Sequence, residues 1–173
     1  MDLLVNVAQL LKEQAGATHT IDLDGPDLEI DGAGPAFVRG RIVLTRTDIG
    51  IWASGDVALS ADATCSRCLV PVTSSLDVRV DDTFLPRVDL VTGAKIDPTL
   101  DPDADTASID VYHVLDLTNT LREYRLAAMP LAPLCREECQ GICPQCGTDR
   151  NQATCSCEPE PDPRWATLRE LLT

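Results

Sequence analysis

Eight cysteines, Cys65, Cys68, Cys135, Cys139, Cys143, Cys146, Cys155 and Cys157, are the residues of this chain whose type and spacing most directly suggest chemistry. Two residues between a pair of cysteines let both thiolates converge on one ion while nearby backbone N–H groups point at the sulfurs. Cys143-Pro144-Gln145-Cys146-Gly147 has that spacing, and Gly147 is free to take the positive φ such a turn needs. Cys155-Ser156-Cys157 follows after eight intervening residues, so four thiolates fall within 15 residues. Cys65-x2-Cys68 and Cys135-x3-Cys139 supply four more. Zn2+ in a structural site takes four such ligands in a tetrahedron, and two ions are expected here. One partition puts Cys143, Cys146, Cys155 and Cys157 on a tail-local ion, while Cys65, Cys68, Cys135 and Cys139 hold a second that clamps the tail to the preceding body. Another pairs Cys135 and Cys139 with Cys143 and Cys146. A third has one tail ion and leaves Cys65 and Cys68 free. The spacing alone leaves the three open.

Four sulfurs close a zinc site, whereas a catalytic zinc keeps a position for water beside an acid or base. The two histidines, His19 and His113, are isolated, and Glu137 and Glu138 are two acids in a loop of an acidic chain. A phosphate-binding Gly-x4-Gly-Lys-Ser/Thr loop does not occur, and Gly32-Ala33-Gly34-Pro35 lacks the third glycine and the helix of a dinucleotide site. No Ser-His-Asp set is visible. The expectation is a chain without catalytic or cofactor-binding residues, acting by binding and not as an enzyme.

Charge narrows the partner. Among 173 residues, 28 Asp+Glu stand against 14 Lys+Arg, a net charge of −14, and the aromatics are limited to two each of Phe, Trp and Tyr. A nucleic-acid groove needs a basic stripe and stacking rings, so stand-alone RNA binding is disfavoured and a basic protein partner fits better. Arg67, Arg79, Arg136, Arg150 and Arg164 are the candidates for a local basic spot around the metal sites. At 44% hydrophobic the chain can build a core. The start, Met1-Asp2-Leu3-Leu4-Val5-Asn6, opens on an acid and is cut by Lys12 and Glu13, unlike a secretory leader. The longest apolar run, residues 126–134, is broken by Pro130 and Pro133 and is too short to span a bilayer. A cytoplasmic protein follows, in which close thiol pairs point to metal rather than disulfides.

The elements that must position these thiols read as an α+β arrangement: an antiparallel sheet body with flanking helices and a small cysteine-rich, zinc-binding C-terminal region. Residues 2–15 form an amphipathic helix capped by Asp2, with Leu3, Val7, Leu10 and Leu11 on one face and Gly16 stopping it. From Leu28 to Val80 the hydrophobic period is two. Strands at 37–44 and 51–59 meet at the Asp48-Ile49-Gly50 turn, and two more flank Cys65 to Cys68, placing that pair at a hairpin tip. The body so covers 1–80. Residues 81–110, with eight acids, two bases and three prolines, read as a solvated acidic loop. Within 111–134 come the end of a short strand over 109–114 and a helix capped by Asp116, with Leu117, Leu121, Tyr124 and Ala128 on one face and Pro130 ending it. The tail, 135–173, closes with a helix started by Asp162-Pro163 that buries Trp165, Leu168, Leu171 and Leu172.

The succession Cys65-x-Arg67-Cys68, Leu115-Asp116-Leu117, Pro130-Leu131-Ala132-Pro133-Leu134-Cys135, Cys139-x-Gly141-x-Cys143-Pro144-x-Cys146-Gly147, Cys155-x-Cys157 and Asp162-Pro163-Arg164 resembles the bacterial YceD family, the large ribosomal RNA subunit accumulation proteins, in the form with a cysteine-rich tail. The resemblance covers most of the chain. It implies a ribosome biogenesis factor that supports synthesis, processing or accumulation of large-subunit ribosomal RNA, and it carries over no catalytic residue. Set beside the charge, it implies as partner a ribosomal protein or pre-ribosomal particle of the large subunit, with direct RNA contact disfavoured. The alternative is a zinc-thiolate redox switch or regulatory interaction protein, for which Arg67 and Arg136 beside the cysteines are permissive.

Overall fold

A computed structural model describes residues 3–29, 35–89, 92–96, 107–157 and 164. In chain order the elements are β1 (Leu4–Asn6), α1 (Ala8–Lys12), β2 (Thr18–Glu29), β3 (Pro35–Arg46), β4 (Ile51–Thr64), β5 (Pro71–Pro86), β6 (Ser108–Ile109), β7 (Val114–Asp116) and α2 (Leu117–Ala128). The strands make one seven-stranded sheet in the order β1-β7-β6-β5-β4-β3-β2. β1 with β7, β2 with β3, β3 with β4 and β6 with β7 pair antiparallel, while β5 and β6 run parallel. The chain divides into two compact units: Met1–Ala63 with Thr73–Leu131, and Thr64–Val72 with Ala132–Thr173.

Alternation builds the first unit. On β3, Val38, Ile42 and Leu44 are buried while Phe37, Arg39 and Arg41 are exposed; on β4, Ile51, Ala53, Val57, Leu59 and Ala61 point inward. Gly55 shares that inward parity. A Cβ there would lie 2.0 Å from the Arg41 carbonyl oxygen, so only glycine lets β3 and β4 approach. Leu76, Val78, Val80 and Phe84 of β5 complete the face, against which Val7, Leu10, Leu11, Leu117 and Leu121 pack. The strands at 37–44 and 51–59 and the turn between them stand as read, within longer strands.

Several readings need correction. The first helix does not span 2–15: residues 4–6 pair with β7 (Leu4 with Asp116, Val5 with Leu115, Asn6 with Val114), leaving a helix of five residues. Asp2 lies outside the described residues. The period-two region begins ten residues earlier than Leu28, at Thr18. β2 there pairs along β3, and its outward Asp22 and Asp24 meet Arg41 and Arg39 at 2.6 and 3.5 Å. The strand expected over 109–114 is two strands, because Asp110 Oδ1 accepts from the N–H groups of Tyr112 and Val114 and turns the chain, with His113 at φ 62°. Of the acidic stretch, Asp81 to Pro86 belongs to β5 and Ser108–Ile109 is β6; residues 90–91 and 97–106 lie outside the description.

α2 begins where its cap was read, with Asp116 Oδ1 accepting from Thr118 N at 2.8 Å. Its buried face differs: Ala128 is exposed, and Arg125, 1% exposed, fills the core-facing turn beyond Leu121. The flanking helices are thus few, two among the described residues. The last helix, read after Asp162-Pro163, falls on residues outside the description apart from Arg164. No helix among the described residues is long and apolar enough to cross a membrane.

Candidate metal centres

All eight cysteines belong to the second unit, and all are free thiols. They fall into two groups of four: Cys65, Cys68, Cys135 and Cys139 (site 1), and Cys143, Cys146, Cys155 and Cys157 (site 2), with the sulfurs of each group within 4.8 Å of one another. The rival that joins Cys135 and Cys139 to Cys143 and Cys146 is not the grouping adopted, nor are Cys65 and Cys68 left over.

The residues fit a metal. Four sulfurs each ~2.3 Å from one centre stand about 3.8 Å apart. Cys65 and Cys139 Sγ are 3.8 Å apart, and Cys68 and Cys135 Sγ 3.6 Å. These separations match the edges of such a tetrahedron and far exceed an S–S bond. Both Cys-x2-Cys turns share one backbone form. Leu69 N donates to Cys65 O at 3.0 Å and Gly147 N to Cys143 O at 2.9 Å, and the residue after each second cysteine is left-handed, Leu69 at φ 62° and Gly147 at φ 73°. Gly147 was legible as a glycine; Leu69, a branched residue at positive φ, was not.

Electrostatics point the same way. The Cys68 N–H aimed at its sulfur holds Cys65 down at about 6. For Cys139, burial pushes upward, but the Gly141 N–H and the Asn151 amide outweigh it and leave the thiol below its ordinary value. Cys68 ends above it, burial and the Cys65 sulfur overcoming the Val70 N–H. Burial and then the neighbouring sulfurs drive Cys135 up to about 12. In site 2 the N–H groups of Cys146 and Gln145 lower Cys143 to about 6, and Thr148 lowers Cys146, while hydrogen bonding to the Cys146 sulfur and burial raise Cys157 to about 12. Each group readily takes its first negative charge and resists its last. A divalent cation at the centre removes that resistance.

The segment between the sites is a small hairpin. Ile142 bridges Asp149, Arg150 N donates to Gly141 O at 2.9 Å, and Cys143 N donates to Thr148 O at 2.8 Å. The Cys65–Cys68 turn lies against it: Ile142 N donates to Arg67 O at 3.0 Å, and Ser66 N and Oγ both donate to Pro133 O at 2.8 Å. Gly141, at φ 71°, has no room for a Cβ, which would stand 2.8 Å from Arg67 O. The arginines read as a basic spot are turned onto the module instead. Arg67 Nη1 donates to Cys139 O at 2.9 Å and Arg136 Nη2 to Asn151 Oδ1 at 2.7 Å. Arg150 lines a cavity with Cys155 and Cys157, and the Cys143 and Cys155 sulfurs favour its charged form. Arg79 is on β5 in the first unit. Glu137 and Glu138 are exposed in the Cys135–Cys139 loop, His19 lies on β2 and His113 in a turn, and none of the four joins a metal group.

Asn151 is the residue the sequence reading missed. Its amide donates to Cys139 Sγ at 3.5 Å and to Asp149 Oδ1 at 2.7 Å, and its Oδ1 accepts from Gln140 N at 2.9 Å as well as from Arg136. Asp149 is held below the usual carboxylate range by the Asn151 N–H and amide. The Asp149-x-Asn151 turn, closing a hairpin that begins with a cysteine, was the available signal.

The family model described as "Large ribosomal RNA subunit accumulation protein YceD" matches residues 53–172, which include all eight cysteines. The chain belongs to the YceD family. Uncharacterized proteins of Mycobacterium tuberculosis (strain ATCC 25618 / H37Rv) and Mycobacterium bovis are each 30% identical over 71% of this chain, and one of Mycobacterium leprae is 29% identical over 83% of it. The chain spans 56% of the length of the first two and 62% of the third. No solved structure matches it.

Proposed function

We propose that this chain is a zinc-stabilised ribosome biogenesis factor that supports the synthesis, processing or accumulation of large-subunit ribosomal RNA, acting in the cytoplasm by binding rather than catalysis. The observation that carries this is the match of the YceD model to a region containing both four-sulfur groups. Each group spends four thiolates on closing a site, so a bound zinc would hold the 64–72 turn and the tail hairpin together and would have no position for a reacting water. Neither group contains a histidine or carboxylate to serve as acid or base. The partner is a basic ribosomal protein or a pre-ribosomal particle, since the chain carries a net −14 and the arginines near the thiols are engaged within their own unit. A thiol-switch reading would start from Cys146, which is exposed and held below its ordinary pKa; zinc loss on mild peroxide treatment without damage to the first unit would favour it.

Cells lacking the protein should accumulate less large-subunit RNA relative to small-subunit RNA, and normal levels would remove the proposal. In gel shifts, protein-free ribosomal RNA should bind weakly with a shallow salt slope, since few cations are available to displace counterions. Addition of large-subunit proteins should create a stable complex. Tight binding of naked RNA with a steep salt slope would replace the protein partner with direct RNA recognition.

A further inference from the structure

The two thiolate groups share a short piece of chain. Cys139 of site 1 and Cys143 of site 2 flank the entry to the 141–150 hairpin, and residues 149–151 close it. Within that closing turn, consecutive side chains serve different sites. Arg150 lines a cavity with Cys155 and Cys157 of site 2, and the Cys143 and Cys155 sulfurs favour its charged form. Asn151 donates to the Cys139 sulfur of site 1, and Asp149 fixes its amide. Asn151 Oδ1 also takes the Gln140 N–H and the Arg136 guanidinium, so the Cys135–Cys139 loop is held by the same side chain. Neither residue is a ligand. Groups that donate to metal-bound sulfur orient the ligand and offset the charge of a four-thiolate site, and their loss typically costs 10–100-fold in affinity.

We infer that Arg150 and Asn151 are positioning residues that couple the two sites, so that metal in site 2 fixes the hairpin end and sets Asn151 against Cys139, raising the affinity of site 1. The inference rests on the metal-binding part of the proposed function. It also follows from chain separations. Site 2 is local, whereas Cys65 and Cys139 are 74 residues apart and Cys68 and Cys135 are 67, so site 1 has the larger closure entropy and gains more from a pre-ordered hairpin. Coupling is reciprocal, so site 1 must strengthen site 2 by the same factor.

Cobalt(II) titration of the reduced, metal-free full chain, read by thiolate charge-transfer absorption in competition with a chelator, tests this. The Cys155→Ser, Cys157→Ser double variant leaves site 1 alone, and its affinity should fall about 10–100-fold below that of site 1 in the intact chain. Asn151→Asp keeps the acceptor that Arg136 and Gln140 use but removes the donor to Cys139. It should weaken site 1 by a similar factor and leave the isolated site 2, measured in the Cys65→Ser, Cys68→Ser background, unchanged. Arg150→Ala should weaken the isolated site 2, with Arg150→Lys partly restoring it. Combined with loss of site 2, Asn151→Asp should add little further loss at site 1, because both remove the same link. Fully multiplicative losses, or a site 1 affinity independent of site 2, would overturn the coupling while leaving both sites standing. Absence of any four-sulfur cobalt spectrum would overturn the coupling and the metal reading together.

Discussion

Removing both metal ions with a strong chelator should unfold the second unit and leave the first folded. The reason is core size. The first unit buries a continuous cluster running from Val7 through Ile42, Leu59 and Phe84 to Leu121. Among the described residues of the second, the buried cluster consists of Cys65, Cys68 and Cys139, with Val72 and Leu134 half-buried against it. A core of that size cannot offset the ordering entropy of the segments it joins, whereas a structural zinc contributes about 10–16 kcal/mol in small zinc-dependent folds. Amide exchange should therefore become fast at Ser66, Ile142, Cys143 and Gly147 on chelation while the β3–β4 ladder remains protected. Acidification should act in the same direction, since protons compete with metal for the thiolates and affinity falls as pH falls. A second unit that kept its protection without metal would mean that its loops hold themselves.

Single ligand substitutions should separate the sites. Cys65→Ser should eliminate the ion of site 1, free the Ser66 to Pro133 and Ile142 to Arg67 hydrogen bonds to exchange, and expose the chain after Ala132 to protease. Cys155→Ser should eliminate the ion of site 2 and release the Gly147 to Cys143 and Cys143 to Thr148 bonds, with the 64–72 turn still held. The loss of protection in each case should approach complete local unfolding, because removing one of four ligands leaves buried thiolates uncompensated. One shared exchange pattern for both variants would show that the unit has a single metal centre or none.

The chemistry was more legible than the scaffold. Cys143 to Cys146 with Gly147 declares its turn within five residues, since ligand spacing and the positive-φ glycine are local facts. The partition of the eight sulfurs was legible only as a set of alternatives, because site 1 closes over separations of 67 and 74 residues that no local pattern encodes. The same limit explains β1. Leu3-Leu4-Val5 fits a helical face as well as a strand, and what decides is β7, more than a hundred residues away. β2 was hidden because its outward Asp22 and Asp24, with Gly25 and Pro26, read as a polar breaker until paired with the arginines of β3. The Asp116 cap was plain, but that Arg125 rather than Ala128 turns inward depended on the tertiary core. Asn151 was missed for a different reason: the Asp149-x-Asn151 turn shows in the sequence, but the four simultaneous hydrogen bonds that give the side chain its importance do not.

Metal content measured by elemental mass spectrometry on reduced, full-length protein, together with the metal's X-ray absorption, bears most directly on the two-centre module. The expected result is two zinc ions per chain, each with four sulfur neighbours at ~2.3 Å and no nitrogen or oxygen ligand. One ion, none, or a first shell containing light atoms would contradict two closed four-thiolate sites.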